Sequence, residues 1–134
     1  MKKITIEWKH FEKYDRTCDR CSNTGANLKK VIQEVTPYLS SQGYSIEFTE
    51  IKLDSKDMSE SNTLLINEVP IEHLLNALVN QNSCSSCSDL INGPCECRTI
   101  TLDNNTYEAI PSELIKKAIL ISLKKESNYL KGIR

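Results

Sequence analysis

Apolar and polar residues alternate over residues 4–9, Ile4-Thr5-Ile6-Glu7-Trp8-Lys9, and a period of two marks a strand with one buried face. Ile4, Ile6 and Trp8 are then core positions, while Thr5, Glu7 and Lys9 lie on a less covered face. The spacing turns helical over residues 24–42, where Leu28, Val31, Ile32, Val35 and Leu39 share a face and Gly43 supplies the stop. Pro37 is expected to kink the last turn. Alternation returns with Tyr44, Ile46 and Phe48 and then shifts parity to Ile51 and Leu53, which predicts a second strand with a bulge or an end near Thr49-Glu50. Residues 63–66 and 69–71 flank Asn67-Glu68 as a hairpin with a two-residue turn, and Pro70 confines the outer arm to a sheet edge.

Further along, Leu74, Leu75, Leu78 and Val79 suit a short amphipathic helix over 73–79, one that depends on tertiary packing. Residues 81–94 read as a polar loop, and residues 98–102 and 106–110 as a second hairpin around Asp103-Asn104-Asn105. Ser112 can cap a last helix running to about Lys125, with Leu114, Ile115, Ala118, Ile119 and Ser122 on one face and Glu113 and Lys117 supporting it at i,i+4. Strands and helices in this order predict an α/β fold, and no repeat or linker interrupts it.

Composition narrows the classes. The 134 residues are 39% hydrophobic and 26% charged, enough for one domain that buries about two-thirds of its unfolded surface. Seventeen basic against 18 acidic residues leave a net charge of -1, so the phosphate-neutralising excess of a nucleic-acid binder is missing. No apolar run reaches membrane-spanning length, and Glu7 follows Lys2-Lys3 too closely for a signal-peptide core. The chain is therefore expected to be cytoplasmic, with no nucleic-acid or membrane partner. There is no glycine-rich phosphate loop, Ser/His/Asp order or paired-carboxylate motif to carry hydrolase or kinase chemistry. Six cysteines are then the unusual feature, because in a reducing compartment cysteines most often serve metal or redox chemistry.

Cys18-Asp19-Arg20-Cys21 lies between the first strand and the first helix. A CxxC there sets two sulfurs one turn apart, about 5 to 6 Å between Cα atoms, beside the N–H groups and positive dipole end that favour a thiolate. Cys18, the outer sulfur, would be the nucleophile and Cys21 the resolving thiol. Arg20 would assist the thiolate, and Asp15 and Asp19 would oppose it. A half-site for metal and a pair of inert thiols remain alternative readings.

The order of a strand, a CxxC, a helix, a strand, a hairpin and a last helix resembles the thioredoxin and glutaredoxin-like superfamily. In glutaredoxin-like members a cis-proline precedes an Asn-Gly turn by five residues. The segment Ser61-Asn62-Thr63-Leu64-Leu65-Ile66-Asn67-Glu68 is similar to that motif, with Asn62 in the proline position and Glu68 in the glycine position. A non-proline cis bond costs about 3 to 4 kcal/mol, so a trans bond before Asn62 is expected, and with it weak reduction of protein disulfides. Ile6-Glu7-Trp8-Lys9-His10, Thr17-Cys18-Asp19-Arg20-Cys21, the run from Leu65-Ile66-Asn67 through Val69-Pro70-Ile71-Glu72, and Cys97-Arg98-Thr99 resemble small prokaryotic thioredoxin-like proteins of unknown function. The resemblance implies a mixed sheet with a cysteine-rich C-terminal hairpin and helix. Residues 1–134 would form one domain, with a core over 1–80 and an extension over 81–134.

Cys84-x-x-Cys87 and Cys95-x-Cys97 place four thiols within 14 positions, a set that could close around one tetrahedral zinc, form one or two disulfides, or hold a cluster or softer metal. Gly93-Pro94 would turn the chain between the pairs. His10 shares the parity of Trp8 and could tune Cys18, although a lone histidine more often packs or faces solvent, and the same holds for His73. The expected activity is thiol–disulfide exchange through Cys18 and Cys21, without a cofactor and with a protein or small-molecule thiol or disulfide as partner. The alternative is a metal-binding or adaptor protein without turnover, with zinc or a soft metal at Cys84, Cys87, Cys95 and Cys97.

Overall fold

In the computed structural model, residues 2–12, 19–54, 60–83 and 96–132 are described. Strand β1 (Lys2–Phe11) is followed by helix α1 (Asp19–Ser41) and strand β2 (Tyr44–Leu53). Next come β3 (Thr63–Ile66), β4 (Val69–Pro70) and the short helix α2 (Ile71–Leu75). Strands β5 (Leu78–Ser83), β6 (Glu96–Leu102) and β7 (Asn105–Tyr107) lead to helix α3 (Ser112–Gly132). The fold is α/β. A mixed four-stranded sheet has the order β2-β1-β3-β4, in which β1 and β2 are parallel and β3 and β4 return antiparallel. A second, antiparallel sheet has the order β5-β6-β7.

The alternation in β1 has the expected consequence, since Ile4, Ile6 and Trp8 are buried and Thr5, Glu7 and Lys9 are half-buried. They join one apolar cluster with Leu28, Val31, Val35 and Leu39 of α1 and Ile115, Ala118 and Ile119 of α3. Each large aliphatic side chain removed from water in this way contributes roughly 1.5–3 kcal/mol. Helix α1 begins at Asp19 rather than near residue 24, and its buried stripe extends upstream through Thr24 to Cys21. The helix runs on through Pro37 to Ser41. Gly43 ends it at φ 85, a left-handed position that glycine occupies without strain, and its carbonyl accepts from Lys2 N at 2.9 Å. On the solvent side Lys116 donates to Glu34 at 3.0 Å and holds that carboxyl below the usual carboxylate range.

The two-residue turn at Asn67-Glu68 forms as predicted, with φ of 50 and 68, the signs a type I′ turn needs. Asn67 also fixes the hairpin in place. Its N–H donates to Thr5 O at 2.8 Å, its Oδ1 accepts from Thr5 N at 3.0 Å, and its Nδ2 donates to Ser122 of α3 at 3.1 Å. Pro70 lies on the edge strand, where its missing N–H costs no ladder bond.

Several expectations need correction. Strand β2 pairs with β1 without a bulge, from Lys2 opposite Tyr44 to Phe11 opposite Leu53. The apparent change of parity arises because Glu50, on the face of Phe48, is polar: it meets His10 instead of core. The helix expected over 73–79 is α2 followed by a strand. Asn76, left-handed at φ 57, ends the helix, and Leu78 and Val79 pair with Thr101 and Ile100. That pairing carries β5 to Ser83, inside the expected loop. The second hairpin turns through Asp103-Asn104 alone, with Leu102 opposite Asn105, and β7 stops at Tyr107. Helix α3 continues past residue 125 to Gly132. Among the described residues no helix is long and apolar enough to cross a membrane.

Gly25 of α1 packs closely on β1: a Cβ there would overlap Cη2 of Trp8 and lie 2.8 Å from its Cζ3. Gly25→Ala gains roughly 1 kcal/mol of helix propensity, but overpacking a core of this density costs about 1–3 kcal/mol. The variant is expected to lose up to about 2 kcal/mol net, read from urea unfolding followed by Trp8 fluorescence; a variant more stable than the parent would show that the helix can move away freely.

Candidate active site at the start of helix α1

Cys21 occupies the first turn of α1, and its side chain is completely buried. It is there because residue 21 continues the stripe of Thr24, Leu28 and Val31 at a spacing of three or four. Its Sγ is hydrogen-bonded at 3.0 Å to Oγ of Ser61, itself 1% exposed. Ser61 Oγ also accepts from the backbone N–H of Phe11 at 2.9 Å, so the hydroxyl proton is available to the sulfur. One serine thus ties the end of β1, the start of α1 and the segment before β3.

The peptide bond before Asn62 is trans, as expected. Asn62 takes the left-handed conformation, φ 66, which asparagine adopts more readily than most residues. Its amide is 5% exposed; Nδ2 donates to Glu108 O at 3.5 Å, and Oδ1 has no hydrogen-bond partner among the described residues. The segment before α3 is clamped to α1 at the same end. Ile110 N donates to Thr24 Oγ1 at 3.0 Å, and Asn27 Nδ2 donates to Ile110 O at 2.9 Å. The sulfur of Cys21 therefore sits in a frame of satisfied hydrogen bonds, with one buried carbonyl oxygen left over at Asn62.

Residues 4–119 match a family described as a domain of unknown function, DUF2703. The chain belongs to this family. An uncharacterized protein of Archaeoglobus fulgidus is 32% identical over 117 residues, covering 84% of this chain and 82% of that protein. No solved structure matches at a significant level. The DUF2703 match runs from the first core strand into α3, and so takes in Cys21, Ser61 and Asn62 together.

Of the cysteines singled out in this DUF2703 chain, Cys18, Cys84, Cys87 and Cys95 lie outside the described residues, and Cys97 is placed in β6 opposite Asn82. His10 faces inward. It is 2% exposed, stacks on Trp8 with ring centroids 4.0 Å apart, and donates from Nε2 to Glu50 at 2.6 Å. His73 is exposed on α2. Sequence reasoning missed Ser61 and Thr24, whose role comes from neighbours far along the chain. It also missed Glu50, although a carboxylate on the strand face of Ile46 and Phe48 was a signal that a polar partner faces it.

Ser61→Ala removes the acceptor of a buried N–H and the hydroxyl beside Cys21. A buried donor left without a partner costs about 1–3 kcal/mol. Chemical denaturation is expected to show a loss in that range, and the amide of Phe11 is expected to exchange with solvent faster; an unchanged exchange rate would show that Ser61 is dispensable to the frame.

Proposed function

We propose that this protein carries out thiol–disulfide exchange through Cys18 and Cys21. The observation that carries the reading is the buried position of Cys21 in the first turn of α1, three residues after Cys18 and hydrogen-bonded to Ser61. A thiol buried in this way suits attack on a neighbouring mixed disulfide better than attack on an outside partner. The strand order β2-β1-β3-β4, with α1 joining the parallel pair, supports a thioredoxin-like frame around it.

In the reducing direction the Cys18 thiolate attacks one sulfur of a partner disulfide; an S–S bond forms between Cys18 and the partner, and the partner's other sulfur leaves as a thiolate. Cys21, giving up its proton, then attacks Cys18 Sγ. The Cys18–Cys21 bond forms, the second partner sulfur leaves, and two electrons have passed to the partner. Oxidation of a partner dithiol runs through the same steps in reverse.

With Cys21→Ser, resolution is blocked. The variant incubated with a small aromatic disulfide is expected to accumulate a mixed disulfide at Cys18, whereas the parent chain ends with an internal disulfide, both read by mass spectrometry. If Cys18 alkylates no faster than an ordinary thiol of pKa about 8.5 and no adduct is trapped, the exchange reading fails.

A second reading concerns Cys84, Cys87, Cys95 and Cys97, and the β5–β6 register favours it. Ser83 pairs with Glu96, and Cys84 and Cys95 are the next residues in the chain on either side. We infer that the four thiols share one site, with zinc as the candidate ion and a worth on the order of 10 kcal/mol at neutral pH, against about 2–4 kcal/mol for each disulfide. Cys84→Ser is expected to release zinc and to raise protease cleavage between residues 81 and 98; in a disulfide-held cluster a reductant would do so and a chelator would not.

A further inference from the structure

A second group of side chains lies near the same end of the mixed sheet. We propose that His10, Glu12 and Glu50 form a site for one divalent first-row transition ion that takes mixed nitrogen and oxygen ligands. One ligand atom from each of the three residues lies within 4.8 Å of those of the other two. Ligands about 2.0–2.2 Å from a shared ion stand at most about 4.4 Å apart, so small side-chain rotations close the set. His10 and Glu50 come from the C-terminal ends of the parallel strands β1 and β2, where open α/β sheets gather their ligands. Glu12 follows β1 directly, held by its N–H to Leu53 O at 3.2 Å.

The set is more than a patch of surface carboxylates. The imidazole is almost wholly buried, and its stack on Trp8, itself pressed against Gly25, fixes the ring before any ion arrives. The proton that Nε2 now donates to Glu50 at 2.6 Å occupies the position an ion would take, and binding would release it. Lys52 pairs with Glu12 at 3.5 Å but is 60% exposed, so it can swing away. These three residues, with Trp8, Ser22, Gly25, Ala26 and the long, exposed side chain of Lys29, line a cleft of about 360 Å³, which leaves room for water or a small ligand on the remaining coordination positions. Trp8 lends a further observation: its indole N–H is buried without an acceptor among the described residues, a donor that an ion-bound water or anion would satisfy. Imidazole with two carboxylates selects zinc, iron, manganese or cobalt over the softer ions that thiolates take. This site neither uses nor requires the cysteines.

Trp8 is the chain's single tryptophan and touches His10, so it reports on this site. Metal-free, reduced full-length protein titrated with Co²⁺ is expected to show saturable quenching of Trp8 fluorescence at one ion per chain. Glu50→Gln and Glu12→Gln are each expected to weaken binding at least about tenfold. Glutamine at position 50 can still accept from His10, and both glutamates reach solvent, so the variants should unfold at the parent's temperature. Quenching that is absent, or unchanged in both variants, overturns the proposal. A thiolate-to-cobalt absorption band that grows without quenching also overturns it, because the ion would then lie only on cysteines.

Discussion

The indole of Trp8 lies so close to α1 that only glycine can stand opposite it, and the rest of the site is arranged around that approach. Trp8 is buried in the later half of β1, so its contact with Gly25 sets how near the start of the helix comes to the sheet. A side chain at residue 25 would push the first turn outward and move Cys21 from Ser61. On the other side of the indole the same rigidity is passed to His10, whose ring has no freedom to turn while it is stacked.

Helix α1 serves two places at once. Its inward stripe ends in Thr24 and Cys21, which meet Ile110 and Ser61 through hydrogen bonds that span 86 and 40 positions of the chain. The neighbouring Ser22 and Gly25 line the cleft that holds His10, Glu12 and Glu50. A thiol and a histidine–carboxylate set therefore share one helix start, at the end of the sheet where the parallel strands finish. Their chemistry differs because their surroundings differ: the sulfur has a neutral hydroxyl partner in an apolar setting, and the imidazole has carboxylates and an opening to solvent.

The second sheet is tied to this frame by charge as well as by burial. Arg98 of β6 donates to Glu72 of α2 at 2.6 Å, and both side chains are largely buried. Arg98 Nε and Glu72 Oε2 have no further partners among the described residues, so the pair is held by one strong contact. Such a pair adds little net stability compared with apolar packing but strongly disfavours arrangements in which either charge is buried alone. It fixes how the strand carrying Cys97 sits against α2.

Periodicity alone settled β1, the body of α1, the Asn67-Glu68 turn and the buried face of α3, because each depends on side chains two, three or four positions apart. The trans bond at Asn62, whose cost is local, was equally legible. What failed or stayed hidden depended on pairing partners distant in the chain. Leu78 and Val79 have a helical spacing, yet β6 offered them a ladder and they became strand. Glu50 looked like the end of a strand until His10, forty positions away, appeared beside it. Ser61 carries no sequence signal, and its hydroxyl matters only because the fold brings the Phe11 amide and the Cys21 sulfur to it. The sequence by itself thus determined most of the elements; the tertiary structure decided which polar groups are buried together, because burial makes a hydrogen-bond partner obligatory and only the packed chain supplies one.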